Sequence, residues 1–160
     1  MIFLIYFLPL KWCTSLEMLE EHTQERVFLA PPQVYELSRI YHLNNFREVE
    51  QFVSKRTNQG NQRWLPVLST YKDGAISALP GDSMYPEDPD LIGKKPVPDY
   101  PQSLQEMRDK SPVLNRIELR GPTCTSYCNI SLPYGHLSPI TYPQQSISAA
   151  TIPPSTQSML

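Results

Sequence analysis

The chain has 160 residues, 40% of them apolar, a formal net charge of -2 and 17 prolines. That length and apolar content suit one modest domain. The lack of any Lys/Arg cluster excludes the electrostatic footprint of a nucleic-acid binder, and the cysteines Cys13, Cys124 and Cys128 are too few for a disulfide framework.

Residues 1–10, MIFLIYFLPL, form an apolar run about half as long as a membrane-spanning helix requires, so no membrane span is expected there. No basic residue precedes the run as in a secretory leader. From Thr14, TSLEMLEEHTQ offers Thr14 or Ser15 as N-cap and a short apolar side at Leu16, Met18 and Leu19, which predicts one or two helical turns. Next comes FLAPPQVYEL, residues 28–37, where adjacent prolines suit the opening of a helix because the missing N–H would be unpaired there anyway. The spacing of Val34, Leu37, Ile40 and Tyr41 predicts a helix from Pro32 to about Leu43–Asn45. Asn45 followed by Glu48 is the start signal of another, ending near Thr57, with Val49, Phe52 and Val53 as its buried side. The pair reads as a helical hairpin.

After NQGNQ breaks the pattern, Lys72-Asp73-Gly74 supplies turn chemistry between strands at Trp64–Tyr71 and Ala75–Leu79. Pro66 argues that the first of these lies at an edge or starts after it. Residues 86–112, rich in proline and charge, are expected to be a surface excursion with a short helix around Leu104–Arg108. VLNRIELRG and TSYCNISLP alternate as two more strands. Charged residues stop at Arg120, and residues 143–160 hold too little apolar surface to offset their ordering entropy, so a disordered Pro/Ser/Thr-rich tail is expected. The fold class is α+β.

Chemical signals are sparse. No Walker loop, dinucleotide glycine fingerprint, Gly-x-Ser-x-Gly elbow or His-Glu-x-x-His helix occurs. Glu17, Glu20, Glu21 and Glu25 are read as an exposed acidic helix face rather than metal ligands. Asp82, Glu87, Asp88 and Asp90 read as an acidic turn, His42 as a helix-end residue, and His136 as a histidine alone in a polar region. Cys124 and Cys128 read as ordinary strand or loop cysteines, so no metal site is expected in the chain. Asn129 in Asn-Ile-Ser reads as a chance tripeptide rather than a glycosylation acceptor.

Five stretches go further: WCTSLE from Trp12, FLAPPQVYELSRI from Phe28, RWLPVL from Arg63, ALPGDSMYPEDPD from Ala78 and LNRIELRG from Leu114. In this order they resemble the C-terminal half of a Nudix hydrolase, over roughly Lys11 to Ile140. The resemblance implies a partial Nudix α/β/α sandwich at residues 11–142, with a leader at 1–10 and the tail at 143–160. It also implies hydrolysis of the diphosphate in coenzyme A and acyl-coenzyme A, giving (acyl-)phosphopantetheine and adenosine 3′,5′-bisphosphate, with magnesium or manganese held by the glutamates of the Nudix box. That box, G-x5-E-x7-R-E-U-x-E-E-x-G-U (U being a bulky aliphatic residue), matches no stretch of this sequence. The resemblance therefore implies that the catalytic half lies upstream and that the chain as given is inactive; the alternative is a truncated non-enzymatic isoform or a gene-model fragment.

Within the resembling segments, Gln33 and Tyr35 are the candidate substrate contacts on the proline-led helix, and Gly81 and Asp82 those in the Leu-Pro-Gly-Asp turn. Ser158-Met159-Leu160 keeps the small first residue and terminal leucine of a peroxisomal address without its basic middle, and mitochondrial placement is the runner-up. A Nudix core closes around strands from both halves, so the isolated chain is expected to aggregate or to be partly ordered.

Overall fold

A computed structural model describes residues 12–59 and 63–142. The expected leader at 1–10 and tail at 143–160 lie outside the described residues.

Helix α1, Ser15–Thr23, takes Thr14 as its N-cap. Its hydroxyl accepts from the Glu17 N–H at 3.2 Å, while Glu17 accepts from the Thr14 N–H at 2.7 Å, a reciprocal capping box. Helix α2, Pro31–Ile40, starts on the two prolines, and Gln33 Oε1 accepts from the Ala30 N–H at 2.8 Å, closing the first turn where alanine offers no capping side chain. Helix α3, Phe46–Arg56, is capped by Asn45, whose side chain accepts from the Glu48 N–H.

The expected helical hairpin is corrected here. No residue of α3 is buried, Val53 is 57% exposed, and α2 packs instead against α1 and the strands at Asn115–Arg120 and Thr123–Cys128. Periodicity marks an apolar stripe on a helix; it does not say which surface covers it.

Strands β1 (Val67–Tyr71), β2 (Gly74–Ala78), β3 (Asp99–Tyr100), β4 (Asn115–Arg120) and β5 (Thr123–Cys128) form one mixed sheet in the order β3-β1-β2-β4-β5. β1 begins after Pro66, where every residue can again donate to a ladder. Tyr71 pairs with Gly74, leaving Lys72-Asp73 as the turn. Gly74 is required by crowding, since a Cβ there would lie 2.1 Å from the Leu119 carbonyl oxygen. β3, parallel to β1, lies inside the proline-rich excursion; two residues carry no periodic signal. Helix α4, Leu104–Lys110, is capped by Ser103 and Glu106, and the turn residue Asp73 accepts from the Leu104 N–H at 2.7 Å. The last strand ends at Cys128 rather than running on to Pro133. Asn129 there turns its side chain to the segment leading into β4, accepting from the Leu114 N–H and donating to the Pro112 carbonyl.

Alternation along β4 separates two cores. Ile117 and Leu119 face α1 and α2 with Leu19, Leu29, Val34, Tyr35, Leu79 and Cys124. On the opposite face Leu104 of α4 packs with Tyr71, Ile76 and Ala78. Each fully buried aliphatic side chain here contributes about 1.5–3 kcal/mol. Arg116 and Glu118 of β4, which alternation alone would point to water, are covered, at 0% and 2% exposed. Arg116 pairs with Asp82, and Glu118 with Arg108 of α4, so helices cover both faces of the sheet at this strand.

His22 of α1 is buried in the first core. Its Nε2 accepts from the Cys124 N–H at 3.2 Å and its Nδ1 lies 3.2 Å from the Val27 carbonyl, tying α1 to β5 and to the segment before α2. Burial pushes the Cys124 thiol up to about 11, which keeps it protonated and inert at neutral pH.

Candidate functional site

Because α1 and α2 lie over β4 and β5, the β1–β2 part of the same sheet face is left without a helix. The gap is a cavity of about 370 Å³. Its floor is Leu68, Ser77, Leu79 and Ile117; Pro31, Pro32 and Tyr35 of α2 form one wall, and Trp64 and Pro66, in the extended segment leading into β1, form the other. The two prolines thus do more than start a helix: their rings are cavity surface.

Tyr35 is buried and meets Trp64 edge-on, with ring centroids 6.2 Å apart. Its hydroxyl donates to Asn115 Oδ1 at 2.9 Å, and burial pushes the phenol above its ordinary value, so it is a neutral donor. Asn115 in turn donates its side-chain N–H to the Pro80 carbonyl and its backbone N–H to Asp82 Oδ2 at 2.8 Å. Asp82 also accepts from Arg116 Nε and Nη2, at 2.7 and 2.6 Å, and from the Met84 N–H. Gly81, at φ +92°, makes the turn; a Cβ there would meet Ile130 Cδ1 at 2.9 Å.

The four residues singled out from sequence are placed as follows. Tyr35 lines the cavity. Asp82 is joined to it through Asn115, but its oxygens are taken by Arg116 and backbone groups rather than turned outward. It stands apart from the exposed Glu87 and Asp88, so the expected acidic turn is not one unit. Gln33 is exposed and engaged in the cap of α2. Gly81 shapes the turn below Asn115.

Sequence reasoning missed the basic edge of the site. Arg39, one turn beyond Tyr35, lies over the Tyr35 and Trp64 rings at 5.9 and 5.7 Å. It is held by both oxygens of Glu36 and by the Leu137 carbonyl. His136, read as solitary, packs on Trp64 with centroids 4.9 Å apart and sits between the guanidinium groups of Arg39 and Arg56. Burial, then the charges of Arg39 and Arg56, press its pKa down to about 4. The Arg39 spacing after Tyr35 was the one signal available; nothing local links His136 to either arginine.

The carboxylates do not fit a divalent cation. Glu17 and Glu106 cap helices, Glu21 pairs with Arg26, and Asp82 and Glu118 are consumed by Arg116 and Arg108. Among the described residues no three His, Cys, Asp or Glu side chains converge on a common point. No helix among them is long and apolar enough to cross a membrane.

A mixed sheet helix-covered on both faces, with an apolar cavity beside a proline-led helix, is an α+β domain that presents a groove. Residues 68–129 match the NUDT19 C-terminal domain, and over most of its length the chain is similar to NUDT19 proteins. It is similar to the acyl-coenzyme A diphosphatase NUDT19 of Xenopus laevis, 36% identical over 137 residues covering 85% of this chain and 36% of the relative. The Gallus gallus protein of that name is 35% identical over 81% of the chain and 35% of its own length. The Homo sapiens protein is 33% identical over 51% of the chain and 22% of its own length. The chain thus spans about a third of the length of the first two relatives. No solved structure matches it.

Proposed function

We propose that this chain is the substrate-facing C-terminal part of a Nudix acyl-coenzyme A diphosphatase. The reaction splits the diphosphate of coenzyme A and its acyl esters into phosphopantetheine or acyl-phosphopantetheine and adenosine 3′,5′-bisphosphate. The observation that carries this reading is the similarity over 137 residues to the Xenopus laevis diphosphatase. The cavity supports it: a concave, largely apolar surface with the Tyr35 ring in its wall and Ser77 on its floor suits a pantetheine arm or an acyl chain. Gln33, Gly81 and Asp82 shape that surface from behind, through the α2 cap and the Asn115 network.

On this reading the Nudix box, and the magnesium or manganese it would hold, lie in the part of the enzyme that this chain does not span. The chain alone is inactive on this reading, and we propose the peroxisome as the location of the complete enzyme, with the mitochondrion as runner-up.

The test is an in-frame fusion of the box-containing part of the Xenopus laevis relative to this chain, assayed with acyl-coenzyme A and magnesium for release of adenosine 3′,5′-bisphosphate. The fusion is expected to hydrolyse the substrate and the chain alone to leave it intact. A folded fusion that leaves coenzyme A and its esters untouched rules the reading out.

A further inference from the structure

Arg39, Arg56 and His136 come from α2, from the end of α3 and from the segment after Pro133–Gly135, and they meet beside Trp64. Their hydrogen bonds cannot all be satisfied by one another. Arg39 Nη2 is aimed at His136 Nδ1 and Arg56 Nη2 at His136 Nε2. A neutral imidazole has one lone pair and one N–H, so it accepts from a single guanidinium. Protonation removes even that acceptor, and the depressed pKa keeps the ring neutral at pH 7.

Arg39 is fixed by Glu36 and the Leu137 carbonyl, which leaves Nδ1 as its acceptor. The imidazole hydrogen then sits on Nε2, facing Arg56. Arg56 is short of acceptors: among the described residues it has no carboxylate partner, its Nε is buried without a hydrogen bond, and its charge rests on the Phe52 ring at 5.1 Å. Two donors therefore point at each other, with two guanidinium charges nearby and one carboxylate to balance them. An oxyanion is the group that resolves this, accepting from Arg56 and from Nε2–H while neutralising the second charge.

We propose that Arg56 and His136 form an anion subsite for a phosphate monoester. A second cavity, of about 280 Å³, is lined by Arg63, Trp64, Pro80 and Pro133, and its Trp64 is the ring on which His136 packs. The rest of the phosphate-bearing molecule lies there, against the indole. Trp64 also walls the apolar cavity, so one ligand can run from the anion subsite to the groove. The 3′-phosphate of coenzyme A is the source that rests on the functional reading above; a free phosphate ligand does not need it.

The experiment is calorimetric titration of the full chain with inorganic phosphate, adenosine 3′,5′-bisphosphate, coenzyme A and dephospho-coenzyme A, in a buffer free of oxyanions, followed by His136 imidazole NMR shifts. Inorganic phosphate and the bisphosphate are expected to bind and to move the His136 resonances. Arg56→Gln should weaken both by about tenfold or more, the range of one lost charge-assisted hydrogen bond. Arg47→Gln, an exposed position on the same helix, should weaken neither. Arg56→Lys, which keeps the charge but not the fork, should fall between, and it keeps the test open should Arg56→Gln misfold. Tighter binding of coenzyme A than of dephospho-coenzyme A identifies the 3′-phosphate as the source; equal binding of the two, with inorganic phosphate still held, assigns the subsite to another phosphate ligand and leaves it standing. Wild-type affinity in Arg56→Gln, equal losses in Arg47→Gln, or no phosphate binding by the folded chain overturns the proposal, whatever the diphosphatase assay gives.

Discussion

Tyr35 on α2 donates its phenolic hydrogen to Oδ1 of Asn115 at the start of β4, 2.9 Å away and 80 positions along the chain. Both residues are buried, and Asn115 passes the connection on to the Pro80 carbonyl and to Asp82. A cavity wall on a helix is thereby tied to a turn on the far side of the sheet.

Tyr35→Phe tests that link. The ring still packs on Trp64, but Asn115 Oδ1 is left buried and unpaired, which costs about 1–3 kcal/mol. A urea titration is expected to show a lower midpoint with an unchanged slope. Tyr35→Phe with Asn115→Leu should not add the two single losses, because the second change removes the stranded acceptor. An unchanged midpoint in the single variant would mean that the bond is not formed in solution.

The Asp82–Arg116 pair is buried at both ends, with side chains 0% exposed. Asp82→Ala leaves a guanidinium uncompensated in the second core and is expected to cost about 3–5 kcal/mol. Replacing both partners by apolar residues of similar volume, Asp82→Leu with Arg116→Met, should recover part of this, since no charge is then buried. Denaturant midpoints of the three proteins decide it; a double variant less stable than Asp82→Ala contradicts the assignment of the loss to the stranded charge.

His136 gives the chain a pH signature. Its folded pKa, about 4, lies below the ordinary value of 6.5. Above pH 6.5 the ring is neutral in both states and contributes no dependence. Between 6.5 and 4 the unfolded chain takes up a proton that the folded chain does not, so stability falls as pH falls through that window. His136→Asn should flatten the fall in melting temperature between these pH values, measured in buffer without phosphate. Parallel pH profiles for the two proteins would show that His136 is not held neutral.

The sequence by itself determined the elements whose causes are local. The Thr14 and Asn45 caps need only a side chain that reaches back to an orphan N–H three residues on, Pro31-Pro32 needs only a helix start, and Pro66 excludes itself from a ladder. Each is set within four residues, and each was readable. The resembling segments from Trp12 to Leu114 carried the family in the same way, as residues in order.

What only the tertiary structure decided are the pairings that chain proximity does not enforce. Which surface α3 covers, that two residues at Asp99–Tyr100 join a sheet, and that Arg116 and Glu118 on an alternating strand are buried rather than solvated all depend on what arrives from elsewhere in the chain. The basic edge is the clearest case. Nothing in the residues around His136 announces two arginines. Its charge state and its role follow from Arg39 and Arg56 being brought against it, because electrostatics and desolvation act through distance in space and not along the sequence.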